Sequence, residues 1–207
     1  MNKTLQWSIA SVTVILLCVL SYLFADIPSA LWFHALEKTL VFKVFYKITL
    51  FGDSVAYLVA GLLLFVVFLK RNPYWSNWGL FLFSSVAVSG LSADLVKYIA
   101  GRARPKLYFN NALYGFDFFH WENAWTSFPS GHSATAFSVA VIFATLYPRW
   151  RFTALFGGIL VALSRLVLAQ HYISDVIAGS FLGIVSTVLL YNFYFKSKFD
   201  ASRQNKI

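Results

Sequence analysis

Six apolar blocks, separated by short polar punctuation, run along the chain at residues 7–24, 55–69, 78–96, 132–147, 152–169 and 173–195. A helix that crosses a bilayer needs about 20 mostly apolar residues, so each block predicts one such helix, the shorter ones ending near the headgroups. The punctuation is chemically marked. Lys70-Arg71-Asn72-Pro73 closes the second block and Pro148-Arg149-Trp150-Arg151 the fourth, because proline does not continue a helix and charge is costly in hydrocarbon.

Two stretches break the pattern. In residues 26–53, Lys38, Lys43 and Lys47 alternate with Leu40, Val41, Phe42, Val44, Phe45 and Tyr46. That mixture is too charged to span, and it predicts an amphipathic helix lying in the membrane interface; an ordinary amphipathic connector fits equally well. Residues 105–129 hold Tyr108, Phe109, Tyr114, Phe116, Phe118, Phe119, Trp121 and Trp125, and such a loop is expected to rest on the membrane surface. The predicted fold class is all-α: one polytopic membrane domain over 1–207, with six transmembrane helices plus an interfacial amphipathic helix.

Composition agrees. Of the 207 residues, 59% are hydrophobic and 12% are charged, about half the charged share of a soluble domain. Too few charges remain to cover a water-exposed surface. Cys18 stands alone, so neither an intramolecular disulfide nor a cysteine metal site can form. The net charge of +9 is scattered between apolar blocks, which fits anionic headgroups and the positive-inside rule and not a nucleic-acid partner. Lys3 gives a weakly basic start, but Leu23 and Ala25 make a poor cleavage site, so the first block reads as a retained helix.

Charge also sets an orientation. With six spans, the side of the N-terminus holds Lys3, Lys70, Arg71, Arg149, Arg151, Lys196, Lys198, Arg203 and Lys206 against Asp200 alone. On the other side, Lys38, Lys43, Lys47, Lys97, Arg102, Arg104, Lys106 and Arg165 face Asp26, Glu37, Asp53, Asp94, Asp117, Glu122 and Asp175. The imbalance places both termini in the cytoplasm, and the ends of spans three and five and the starts of four and six outside.

The unusual residues collect on that outer face. Lys97 and Arg104 are seven apart, so two helical turns would put both cations on one face, where an anion is wanted between them; headgroup snorkelling explains them as well. Pro129-Ser130-Gly131-His132 opens a span, and unpaired N–H groups at a helix start favour a phosphate, with Gly131 permitting close approach. A plain turn and cap reads the same way. His171 and Asp175, four apart, are predicted neighbours, and a carboxylate there can fix an imidazole tautomer and leave the other nitrogen free to attack. A capping bond is the bland alternative. Arg165 could clamp a phosphate bidentately. A metal fits poorly, since the histidines' companions are Lys and Arg, and zinc takes His, Cys or carboxylate company. Asp94, one turn before Lys97, is expected to pair with a basic neighbour. Arg102 fits either the phosphate site or an exposed headgroup contact, and His34 and His120 read as interfacial.

Taken together, Lys97 with Arg104-Pro105, then Pro129-Ser130-Gly131-His132, then Ser164-Arg165 with His171 and Asp175, in that order, resembles the type-2 phosphatidic acid phosphatase superfamily. The resemblance is carried by residues 97–175 and extended by the six-span layout; the first fifty or so residues add little. It implies a phosphatase acting on a lipid phosphate monoester or diphosphate, with His171 as the nucleophile that forms phosphohistidine and Asp175 as its orienting partner. His132 would be the general acid, while Lys97, Arg104, Arg165, Ser130 and the Gly131 backbone would hold the phosphoryl oxygens. It implies no metal and no organic cofactor, and a bell-shaped pH dependence, since His132 must be protonated while His171 is neutral. The expected partners are the bilayer and a substrate within it: phosphatidate, phosphatidylglycerophosphate, a polyprenyl diphosphate or lipid A. The expected location is a bacterial inner membrane. Lipid-to-lipid phosphotransfer is a second enzymatic reading, and a non-catalytic lipid-binding or transport protein a third. The sequence carries no signal for oligomeric state.

Overall fold

The computed structural model describes residues 2–204, less the side chains of residues 3, 203 and 204. Lys206, and the side chains of Lys3 and Arg203 from the cytoplasmic tally, lie outside the described residues. Among the described residues the fold is helical without strands, and it holds five helices long and apolar enough to cross a membrane plus a shorter apolar one.

Helix α1 (Lys3–Leu20) passes through a π-helical turn (Ser21–Ala25) into α2 (Asp26–His34). The combined Thr4–His34 stretch has 31 residues, about 46 Å at the α-helical rise and longer than the ~30 Å hydrocarbon core. The first part of the 26–53 stretch therefore continues the first span. The expected amphipathic helix corresponds to the shorter α3 (Leu40–Ile48), started by Thr39, whose hydroxyl accepts from the Phe42 N–H at 3.3 Å. However, α3 is not set apart from the spans: it opens the Leu40–Phe68 stretch, which is itself long and apolar enough to cross a membrane. A 3-10 turn (Thr49–Gly52) joins it to α4 (Ser54–Phe68).

Helix α5 (Pro73–Ala100) outruns the predicted 78–96 at both ends. Asn72 caps it, its side chain accepting from the Tyr74 and Trp75 N–H groups, and Pro73 takes the first turn, where no N–H is needed. The short α6 (Pro105–Asn111) interrupts the aromatic loop. Then come α7 (Gly131–Leu146), α8 (Arg151–Val167) and α9 (Ile173–Leu190), the last continuing through a π-helical turn (Tyr191–Phe195) into α10 (Lys196–Gln204).

Helices α5, α7 and α9 form the centre. A Cβ placed on Gly179 or Gly183 of α9 would lie 2.2 Å from the Ser130 or Ala134 carbonyl oxygen. Only glycine lets α9 press its backbone onto the start of α7, the small-residue packing of membrane bundles. By contrast no described side chain of α1 is buried, and in α4 Tyr57, Leu58 and Leu64 are only partly buried against the core, so much of the apolar surface of both helices is left to lipid. A cluster of Trp78, Phe81, Leu82, Val86, Ile142, Leu146, Phe195 and Phe199 fills one end of the bundle. There the Asn77 amide donates to the Ser202 hydroxyl at 3.3 Å, tying the start of α5 to α10. At the other end Cys18 of α1 meets the Ser174 carbonyl at 3.6 Å. The described ends of the chain therefore share one end of the bundle, and the starts of α7 and α9 share the other.

Candidate active site

The chain leaves α5 through Gly101, which adopts a left-handed φ of 56°. A Cβ there would fall 1.6 Å from the Asp117 carbonyl oxygen, so the turn admits only glycine. The helix thus stops at Ala100, and Arg104 is no longer on it: it caps α6 instead. The predicted pairing of Lys97 and Arg104 by two helical turns is therefore wrong in its geometry. The chain turns at Gly101, and both cations still come within electrostatic reach of His132. The Lys97 ammonium lies against Gly131, 3.1 Å from where a Cβ would stand, and it pairs with Asp94 at 2.8 Å, as the spacing suggested.

Arg102 is the larger correction. It makes no headgroup contact and does not face the phosphate site; it is wholly buried between Asp26 and Asp175. Burial pulls its pKa down, but Asp175 and Asp26 outweigh that and hold it above the ordinary arginine value.

His171 stands two residues before α9, on a turn whose N–H groups at Gln170 and His171 bond the Arg165 carbonyl at 3.0 and 3.3 Å. Its Nδ1 donates to the Ser127 carbonyl oxygen at 2.8 Å, with the Asp175 carboxylate 3.5 Å away. Because a carbonyl only accepts, the proton sits on Nδ1 and the lone pair is on Nε2. Asp175 also accepts from the Ser127 hydroxyl at 2.6 Å and the Tyr172 N–H at 2.9 Å, so it caps α9 as well as facing the histidine. Burial, with Arg104 and Arg165 nearby, brings the His171 pKa down to about 3 against the opposing pull of Asp175. The imidazole is neutral throughout the physiological range.

His132 sits one residue into α7. Ser130 caps that helix, accepting from the Ser133 hydroxyl at 2.9 Å and the Ser133 N–H at 3.4 Å, and its own N–H donates to the Asp175 carbonyl at 3.0 Å. The other face of His132 is closed by a segment the motifs did not include. A Cβ on Gly52 would lie 2.8 Å from His132 Cδ2 and 2.9 Å from Val161. Gly52→Ala is therefore expected to displace the imidazole and lower kcat by about 10- to 100-fold in detergent-solubilised protein of unchanged folded fraction. An unaltered kcat would remove Gly52 from the site.

The cations carry the clearest signal. Arg165 is 8% exposed, and its Nη1 donates to the Thr49 hydroxyl at 2.6 Å. Arg104 reaches only the Thr126 carbonyl, at 3.4 Å, and neither Nε has a partner. Among the described residues no carboxylate pairs with either guanidinium. Arg104 is close enough to be felt by Arg165 and His171, and Arg165, Lys97 and Arg104 all act on His132. Like charges close together, one buried and one half-buried, with no carboxylate paired to either, call for an anion.

The fold thus gathers Lys97, Arg104, Ser130, Gly131, His132, Arg165, His171 and Asp175 at one end of the bundle. His34 pairs with Glu37 at 3.2 Å and stacks on Phe109, and His120 bonds Asp117 at 2.8 Å, both away from that group. Sequence reading missed Ser127, Thr49, Gly52 and Asp26. Of these only Asp26, an acid at the end of an apolar block, carried a signal. A cavity of about 560 Å³ between α1, α5 and α9 is walled mainly by apolar side chains, Phe128 and Pro129 among them; buried Arg102 lines it, and none of the cations or histidines gathered at the site does.

The PAP2 superfamily profile matches residues 78–199. A lipid A 1-phosphatase of Rhizobium etli is 33% identical over 192 residues, covering 86% of this chain and 81% of the relative. A transmembrane PAP2-type phosphatidylglycerolphosphate phosphatase from Bacillus subtilis has a TM-score of 0.66 at 23% identity, covering 89% of this chain and 94% of that one. LpxE from Aquifex aeolicus has a TM-score of 0.63 at 18% identity, covering 81% and 95%. At those identities the two structures speak for a shared fold.

Proposed function

The chain belongs to the PAP2 superfamily, and from that membership and the geometry above we propose that this integral-membrane phosphatase cleaves a lipid phosphate ester through a phosphohistidine on His171. The observation that carries the proposal is the group of Arg104, Arg165 and Lys97, cations without enough carboxylates around two histidines. A phosphoryl group supplies the missing negative charge, and fixed cations are worth most where charge spreads over its oxygens in the transition state.

The lone pair on His171 Nε2 attacks phosphorus while the bond to the lipid oxygen breaks, and that oxygen takes the proton from His132. Water then attacks phosphorus, gives a proton to His132, and the P–N bond breaks to release phosphate and neutral His171. The phosphate's negative charge favours the protonated form of His132 when substrate is bound. With the free-enzyme pKa of His171 at about 3, the acid limb it contributes to kcat/KM lies well below the ordinary histidine range. Lys97 and the Gly131 N–H flank one side of the phosphoryl group, Arg104 and Arg165 the other, and the Ser130 hydroxyl remains able to donate. Each proton and bond in these steps is handled by this chain's own residues, and the proposed chemistry is written without a metal.

The substrate proposed is the phosphate at the sugar of a lipid A-type glycolipid, on the strength of the Rhizobium etli relative. The basic flanks of the termini support a cytoplasmic placement for them, and hence a site on the opposite, outer face of a bacterial inner membrane. Purified full-length protein in detergent is expected to release phosphate from lipid A 1-phosphate faster than from phosphatidate, phosphatidylglycerophosphate or a polyprenyl diphosphate. EDTA should leave the rate unchanged. Release from none of these lipids would overturn the function, and EDTA inhibition reversed by added metal would overturn the mechanism.

A further inference from the structure

Asp26 lies on the first span, outside the matched family segment and outside every motif in the sequence. Its side chain is fully buried, and so are those of Arg102 and Asp175. Oδ1 accepts from the Ser174 N–H at 3.0 Å, and Oδ2 accepts from the Ser174 hydroxyl and from Arg102 Nη2, the latter at 2.6 Å. The other terminal nitrogen, Nη1, donates to Asp175 and to the Ser174 hydroxyl at 2.6 Å. Rings of Tyr22, Tyr114, Phe116 and Tyr172 enclose the guanidinium, their centroids 4.7 to 5.5 Å from its carbon.

One carboxylate would neutralise Arg102. The second leaves the enclosed cluster with a net charge of −1, which burial makes costly. Both oxygens of Asp26 accept, and an asparagine there would turn amide donors onto Ser174 or Arg102, so the position asks for a carboxylate and its charge.

We infer that Asp26 is a positioning residue for phosphoryl transfer, acting through Arg102 and Asp175 on His171; this rests on His171 being the nucleophile. When Nε2 bonds to phosphorus and the bond to the lipid oxygen breaks, Nδ1 keeps its proton and the ring becomes cationic. The carboxylate 3.5 Å from that Nδ1 is Asp175. Were Arg102 paired with Asp175 alone, its charge would cancel the one the ring needs. Sharing Arg102 with Asp26 keeps the arginine fixed and leaves the negative charge of Asp175 available to the phosphorylated ring.

The test uses full-length protein in detergent with a lipid phosphate substrate. Asp26→Asn is expected to lower kcat by about 10- to 100-fold with KM within about twofold, the range typical of groups that orient an active-site side chain. In an Asp175→Asn background the same change is expected to cost less than about threefold, because its route is already cut. A merely structural role would give equal losses in both backgrounds, and that result, or an unchanged kcat in the single variant, overturns the inference. If Asp26→Asn does not extract as folded protein, Ser174→Ala serves instead, since it removes one contact to Asp26 and one to Arg102. Its several-fold loss is expected only where Asp175 is intact, and equal losses again overturn the inference. His171→Ala is the separate control: persisting activity there removes the nucleophile itself, whereas its loss beside an indifferent Asp26→Asn removes only the role of Asp26.

Discussion

His171→Ala should lose turnover by about 10⁴- to 10⁶-fold, as expected when a nucleophile is deleted from an otherwise intact site. The magnitude follows from what the substitution leaves behind. Arg104, Arg165, Lys97 and the start of α7 remain in place, so the variant should still bind the lipid phosphate with a KM near that of the wild type. Binding without attack gives no covalent intermediate, and the residual rate is that of water in a favourable electrostatic setting. Measured phosphate release in the purified variant, set against wild type at saturating substrate, checks this. A loss of less than about tenfold would mean that another atom attacks phosphorus.

Arg165→Ala is the second large effect, with kcat/KM expected to fall by about 10²- to 10³-fold, the scale of losing one preorganised donor to developing negative charge. Arg165 is buried, held by the Thr49 hydroxyl at 2.6 Å and without a carboxylate partner. Its charge is therefore available to substrate and not spent on the fold. Truncation also empties buried space and leaves the Thr49 hydroxyl without that partner, so kcat/KM is compared at equal folded fraction, with thermal unfolding as the check. Arg165→Lys should recover little, because a single ammonium cannot offer two parallel donors to a phosphoryl group. Reduced stability together with unchanged kcat/KM would make Arg165 a structural residue.

The spans were legible because hydrophobic length is a one-dimensional property: each predicted block lies within or nearly within a helix of the fold. Their ends were less so. Pro73 as a helix breaker and Lys97 as a charge look like boundaries, yet both are helical, because a helix continues into water wherever a cap such as Asn72 or Gly101 sets its limit. The site was legible where motifs are local, as in Ser130-Gly131-His132 and in His171 with Asp175. It was misread where side chains meet through the turn of the chain. Arg104 was placed on a helix that stops four residues earlier. Arg102 fits neither the phosphate site nor a headgroup contact, the two readings its sequence allows, because nothing in its own neighbourhood reveals that Asp26, 76 residues away, will bury it. Thr49 and Gly52 sit in a segment that reads as an amphipathic connector, and Gly52 matters only for the atoms it lacks. The first 52 residues, which contribute little to the motif pattern, supply Asp26 to Arg102, Thr49 to Arg165 and Gly52 to His132.

The central claim is that phosphorus passes through a covalent bond to His171, with His132, Lys97, Arg104 and Arg165 around it. Rapid acid-free quenching of the wild-type protein with lipid carrying labelled phosphate, followed by peptide mapping, addresses it directly. The account predicts label on the peptide containing His171, and none on that peptide in His171→Ala. Label on another residue, or multiple turnovers in the wild type without label on His171, would contradict it.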